Sequence, residues 1–241
     1  MTRTAWTALA GLPKPYYEDG LVTIYHGDCR EWMPQPTHKD SQSSEWCMSH
    51  EAGVVVTDPP YGIGYSPSQN SGKAWGPKTF VGQSVVRGDA EAFDPTLVLA
   101  LGLPTVLFGA NHYASLLPDS PSWIVWDKRD GLTSNDFADC ELAWTNFGTV
   151  ARVVTHRWSG MMRDSERGDH RWHPTQKPVY VMRWIIERCP DGTVLDPFMG
   201  SGTTLVAAKS LGRRAIGIEI EERYCEIAAT RCSQEVLGLV G

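Results

Sequence analysis

No stretch of this 241-residue chain approaches the roughly 20 consecutive apolar residues that a membrane-spanning helix needs. The short apolar run at residues 5–12 has neither the basic start nor the length of a secretory signal, so a cytoplasmic protein without a membrane partner is expected. None of the six cysteines forms a CxxC pair, which argues against a disulfide framework and a zinc ribbon. Cys47 and His50, with His38 nearby, have half the spacing of a metal site but no second pair, so no metal is expected. Internal repeats are absent. A phosphate-binding Gly-Lys-Ser/Thr run is missing too, and a dinucleotide G-x-G-x-x-G would need glycine where Leu205 stands. ATP and NAD readings weaken accordingly.

What remains is a chain that is 41% hydrophobic and 21% charged, enough for one substantial α/β core. Residues 1–20 read as a tail and 21–241 as a single domain. The net charge of −6 disfavours a polyanionic partner only if the charge is evenly spread. It is not. Residues 62–88 carry Lys73, Lys78 and Arg87 with no acid, and residues 152–177 carry six basic side chains against three acidic ones. Two basic segments on an acidic body suggest a local track for nucleic acid, against the plainer reading of solvated loop charge.

Along the chain, β-branched and aromatic runs at residues 21–25, 53–57, 105–109, 123–126, 141–144, 193–195 and 215–218 predict seven strands. Helical patterns follow Pro178, with Val181, Trp184, Ile185 and Ile186 on one side, and occupy residues 203–211 and 222–235. Residues 34–49, 62–88 and 157–173 read as loops. Strands alternating with helices predict a mostly parallel, seven-stranded twisted sheet covered on both faces, an α/β, Rossmann-like fold.

In such sheets ligands bind beyond the carboxyl ends of the strands. Asp28, Asp58, Asp196 and Glu219 all stand at predicted strand ends. The run Asp196-Pro197-Phe198-Met199-Gly200-Ser201-Gly202-Thr203-Thr204 offers a glycine turn and a helix start suited to a carboxylate or phosphate. Glu219 lies where an acid meets ribose hydroxyls in nucleotide-binding βαβ units, so an adenosine-containing cofactor is implied. Upstream, Asp58-Pro59-Pro60-Tyr61 closes the apolar strand at residues 53–57 with an acid, two stiff prolines and an aromatic, a set able to hold a planar group bearing an NH2.

Together these residues resemble the amino-methylating DNA methyltransferases, the N6-adenine/N4-cytosine family. That family has an Asp-Pro-Pro-Tyr run, a Gly-Asp motif matched here by Gly27-Asp28, and a cofactor loop like residues 196–204. It also has a His-Pro-Thr-Gln-Lys-Pro run, present here at His173-Pro174-Thr175-Gln176-Lys177-Pro178. The resemblance covers about residues 21–231, the middle only loosely. The Asp58 run precedes the loop, the circularly permuted order of the β class; glutamine and most RNA methylases with a related run place the loop first. The same sheet is assembled whichever half comes first.

The resemblance implies a class I methyltransferase fold, S-adenosylmethionine as cofactor and double-stranded DNA as partner. It implies direct displacement by the exocyclic nitrogen of a flipped adenine, or of cytosine at N4. A serine at the first motif position would lean toward cytosine, and cytosine-C5 enzymes use a Pro-Cys run that is absent here. Asp58 and the Pro59 carbonyl would accept the amine's N–H bonds, Pro60 would stiffen the turn and Tyr61 would stack on the base. Phe198 would meet the cofactor adenine and Asp28 its amine. Glu219 would take the ribose, and Gly200, Ser201, Gly202, Thr203 and Thr204 the methionine end. Asp196, Lys177 and Pro178 would border the pocket. Plainer roles compete: Asp28 and Glu219 as helix caps, Phe198 as core, Trp75, Trp158 and Trp172 as packing or as a wedge in the gap left by a flipped base. Recognition would reside in residues 62–88 and 152–172, with a homodimer one way to extend it. The other functional classes consistent with the motifs are RNA or protein methylation and a catalytically silent nucleic-acid binder. A restriction-linked, solitary or phage-borne methylase would share them all.

Overall fold

The computed structural model describes residues 13–33, 52–64, 88–132, 138–159, 162–166, 172 and 176–234. Eleven strands are present among them: β1 (Tyr17–Glu18), β2 (Val22–His26), β3 (Ala52–Thr57), β4 (Thr105–Phe108), β5 (Trp123–Asp127), β6 (Cys140–Thr145), β7 (Arg152–Thr155), β8 (Trp158–Ser159), β9 (Met162–Arg163), β10 (Thr193–Asp196) and β11 (Ala215–Glu219). Four helices accompany them: α1 (Thr96–Leu99), α2 (Val179–Ile186), α3 (Thr203–Ser210) and α4 (Glu222–Ser233).

Nine strands form one sheet in the order β1-β2-β11-β10-β3-β4-β6-β5-β7, and β8 and β9 make a separate hairpin. From β2 to β4 every neighbour is parallel, while β6 runs antiparallel to both β4 and β5. The seven expected strands are the central seven. The structure adds β1 inside the stretch read as a tail, β7 at the far edge, and a hairpin within the expected loop at 157–173. Period-two patterning misses two-residue strands because they contain no full repeat.

Side chains alternate across the sheet as strand geometry requires. Val54, Val56, Val106, Phe108 and Val194 point to one side, where they pack with Val181, Ile185, Leu205, Ala208 and Ala228 of α2, α3 and α4. Val55, Leu107, Leu195, Ile216 and Ile218 point to the other, against Val98, Leu101, Ala110 and Tyr113. That second face is covered by the single turn of α1 and by 3-10 turns at Cys29–Glu31, Ala110–His112 and Ala114–Leu116. Among the described residues no helix is long and apolar enough to cross a membrane. Cys29, Cys140, Cys189, Cys225 and Cys232 are free thiols, and no group of three His, Cys, Asp or Glu side chains gathers there to hold an ion. His38, Cys47 and His50 lie outside the described residues.

Ile185 is almost fully buried between α2 and the sheet, so Ile185→Ala should lower stability by about 2–5 kcal/mol. Urea titration of the full chain checks this through a fall in midpoint at constant slope.

Candidate active site

Strand order reverses between β10 and β3. The crossover from β10 through α3 leads to β11 on one side, whereas β3 leads to β4 on the other. A crevice opens at such a point. The two strand ends are tied there: the Thr57 hydroxyl donates to Asp196 Oδ1 at 2.6 Å. The Phe198 N–H donates to the same oxygen at 3.1 Å. Burial pushes the Asp196 carboxyl up to about 6, and the hydrogen bonds from Thr204, Thr57 and Phe198 offset only part of that.

Asp58 follows β3 directly. Its Oδ2 accepts from Lys177 Nζ at 2.6 Å, and its Oδ1 accepts a short hydrogen bond from the Tyr61 hydroxyl. Lys177 Nζ also lies 3.1 Å from Glu141 Oε2, and Glu141 Oε1 accepts from Lys128 Nζ at 3.1 Å. Only 6% of the Lys177 side chain is exposed. Burial raises the Asp58 carboxyl above its ordinary range even though Lys177 pulls it down. For Lys177 burial works against the charge, but Asp58 and Glu141 outweigh it and hold the ammonium protonated. Glu141 sits below the usual carboxylate range, because Lys177 and Lys128 together overcome its burial.

Tyr61 stacks on His112 with ring centroids 5.1 Å apart and planes 17° from parallel. Its ring also fills the space beside Gly109, where a Cβ would fall 2.0 Å from a ring carbon. Only glycine fits, and its φ of +65° is one that L side chains rarely adopt.

The glycine turn after β10 faces the end of β11. Gly200 N–H donates to Glu219 Oε2 at 3.0 Å and Glu221 N–H to Glu219 Oε1 at 2.8 Å. Burial, the dominant influence, raises Glu219 to about 7. Helix α3 starts at Gly202 in the left-handed region without a side-chain cap, so its first turn suits an anionic group. Ser201, Thr203 and Thr204 are buried. Arg231 of α4 clasps this turn, donating to the Ser201 carbonyl at 2.6 Å and the Thr203 hydroxyl at 3.1 Å. Phe198 is half-buried, edge-on to Phe93 at 5.6 Å. Asp28 stands one strand further on, where Gly27 N–H bonds the Glu219 carbonyl at 2.9 Å. There it caps the Cys29–Glu31 turn and pairs with Arg30.

The structure thus gathers Asp58, Tyr61, Lys177, Asp196, the 198–204 turn and Glu219 along one edge, with Pro59 and Pro178 buried beside them. His173, Pro174, Thr175 and all of 65–87, Trp75 included, lie outside the described residues. One expectation is corrected: Lys177 was counted in the basic track, but it is an internal cation paired with two acids. Arg157 is likewise engaged with Asp130 and Asp164. Glu141, Lys128, His112, Arg231 and Asp89 were missed. Asp89 is buried and accepts from the backbone N–H groups of Gly62 and Ile63, fixing the chain just after Tyr61.

Glu219 offers a pH test. Its folded value of about 7 lies above the unfolded 4.5, so its contribution to stability is complete below about 4.5 and is lost as pH rises through about 7. Glu219→Gln should flatten that part of the stability profile, measured as urea midpoints across the same pH window.

Comparison with known proteins identifies the family and the fold. The family described as DNA methylase, the N6/N4 methyltransferases, matches residues 124–230. The chain is 30% identical over 275 residues to type II methyltransferase M.ScaI of Streptomyces caespitosus, covering 95% of this chain and 86% of that protein. It is 42% identical over 103 residues to type II methyltransferase M2.DpnII of Streptococcus pneumoniae, but spans only 33% of its length. Among solved structures, the PvuII DNA methyltransferase (cytosine-N4-specific) aligns over 95% of this chain and 92% of its own, at a TM-score of 0.57 and 15% identity. The M1.HpyAVI–SAM complex aligns over 88% of this chain and 100% of its own, at 0.51 and 22%. These likenesses carry the class I methyltransferase fold, and the near full-length relationship to M.ScaI places the chain in the N6/N4 family of DNA methyltransferases.

Proposed function

We propose that this chain transfers a methyl group from S-adenosylmethionine to the exocyclic N6 of adenine in double-stranded DNA, by direct displacement and without a covalent enzyme intermediate. The observation that carries this reading is the placement of Asp58 beside the Asp196–Thr204 turn, a carboxylate and a ligand cradle meeting where the strand order reverses.

The residues fit the cofactor. The turn at 200–204 and the uncapped start of α3 suit the methionine carboxylate, Glu219 the ribose hydroxyls, Phe198 the adenine and Asp28 its amine. When bound, S-adenosylmethionine supplies a methyl group on a positively charged sulfur, open to in-line attack by nitrogen. The amine of adenine is a poor nucleophile because its lone pair is delocalised into the ring. Asp58 and the Pro59 carbonyl accept its two N–H bonds, which draws the lone pair back onto nitrogen and aims it. Asp58 must be ionised to do this, and Lys177 favours that state against burial. Tyr61, packed on Gly109 and His112, offers its ring to a base swung out of the duplex. Arg152 and Arg163 provide charge for the DNA backbone, and residues 62–88 and 152–172 serve recognition. The enzyme works in the cytoplasm. N4 of cytosine is the second reading, since Asp58 serves either amine; aspartate rather than serine at this position favours adenine.

Expression in a methylation-deficient host, followed by mass spectrometry of DNA nucleosides, tests the reading. N6-methyldeoxyadenosine is the expected product, N4-methyldeoxycytidine would move the assignment to cytosine, and neither would overturn it. Asp58→Ala should abolish transfer while S-adenosylmethionine binding, followed by calorimetry, stays close to wild type. Gly200→Val should do the reverse of that second readout and lose cofactor binding, because valine is strained at the φ of +50° found there.

A further inference from the structure

We propose that Glu141 is a positioning residue for methyl transfer, which receives Lys177 when the substrate amine displaces it from Asp58. The inference rests on the reading of Asp58 as acceptor of the amine N–H bonds.

Asp58, Lys177, Glu141 and Lys128 form a chain of alternating charge with links of 2.6, 3.1 and 3.1 Å. In this state each Asp58 oxygen already holds a partner, Oδ2 the Lys177 ammonium and Oδ1 the Tyr61 hydroxyl, and an incoming N–H competes with them. The substrate amine requires one of those oxygens. Tyr61 belongs to the same short loop as Asp58, whereas Lys177 has a second acid waiting 3.1 Å away on β6. Moving the ammonium toward Glu141 frees Oδ2 without leaving a buried cation unpaired, which is strongly unfavourable. Lys128, anchored at the end of β5, keeps Glu141 ionised for that exchange. The geometry of Glu141 Oε2 agrees. It lies 3.1 Å from the ammonium in a buried position, close enough to take it over with little movement.

The titratable groups that face Asp58 come from every neighbouring element: Lys177 ahead of α2, Glu141 on β6, Tyr61 in its own loop, Tyr113 after β4 and Asp196 on β10. Of these, Lys177 lowers the Asp58 value and Glu141 raises it. Removing Glu141 and removing Lys177 should therefore move the acidic limb of the rate profile in opposite directions.

The test measures kcat and KM against pH with the purified full chain, labelled S-adenosylmethionine and unmethylated DNA. Glu141→Gln should lower kcat on the order of 10²-fold, the scale of a misplaced reacting group, with calorimetric S-adenosylmethionine affinity unchanged. Its acidic limb should shift to lower pH, because Lys177 then pairs with Asp58 alone. Lys177→Met should shift the limb to higher pH. Glu141→Asp, which keeps the charge, should recover part of kcat and the wild-type limb. A Glu141→Gln enzyme with wild-type kcat, limbs that move the same way, or equal losses in the Gln and Asp variants would overturn the proposal. Asp58→Asn separates the two levels. If it stays active, the assignment of Asp58 fails; if it is inactive while Glu141→Gln behaves as wild type, only the role of Glu141 fails.

Discussion

The pairing of β3 with β10 at the middle of the sheet is the constraint on which the site depends. The two strands are far apart in sequence yet parallel, with Val54 beside Val194 and Val55 beside Leu195, and the Thr57–Asp196 hydrogen bond locks their ends. Apolar burial on both faces fixes that register, since a slip by one residue would turn every side chain to the wrong side. Asp58 and the 196–204 turn are thereby set next to each other. Permuting the order of the halves along the chain leaves this adjacency untouched, because it depends on which strands pair and not on which is made first.

Burial then makes the chemistry electrostatic. An isolated carboxylate at this depth would take up a proton, and the raised values of Asp196 and Glu219 show that tendency. Asp58 is raised by burial too, but unlike them it has a cation beside it that pulls the other way. It is given a buried ammonium, and that ammonium is given a second acid. The two acids and two lysines balance in formal charge, and each acid lies within 3.1 Å of an ammonium. The 196–204 turn is held through backbone groups instead: N–H groups from Gly200 and Glu221 bind Glu219, and Arg231 holds the Ser201 carbonyl.

The parts legible in the sequence are those with local signals. Seven strand runs, the acids at their ends and the glycine turn were readable because each is written in a few adjacent residues. Glu141 was not readable, although its strand was. Only if β6 runs antiparallel does the start of that strand reach the carboxyl edge of its neighbours, and direction is a property of the sheet. Lys177 was recognised within a motif but assigned as well to a surface track, because charge counting cannot separate an exposed lysine from one enclosed by two acids. His112 and Asp89 act through stacking and backbone capture, for which spacing leaves no trace. The β7 edge and the β8–β9 hairpin lay in a segment whose polar composition masked short strands.

Hydrogen–deuterium exchange of the full chain with and without S-adenosylhomocysteine, read by mass spectrometry, tests most directly whether the β3 and β10 ends form one site. Slowed exchange concentrated in peptides covering 197–205 and 219–221, with a smaller effect at 61–64, is the result this account predicts. Saturating ligand that left those segments unchanged, or protected only regions remote from the β3–β10 edge, would contradict it.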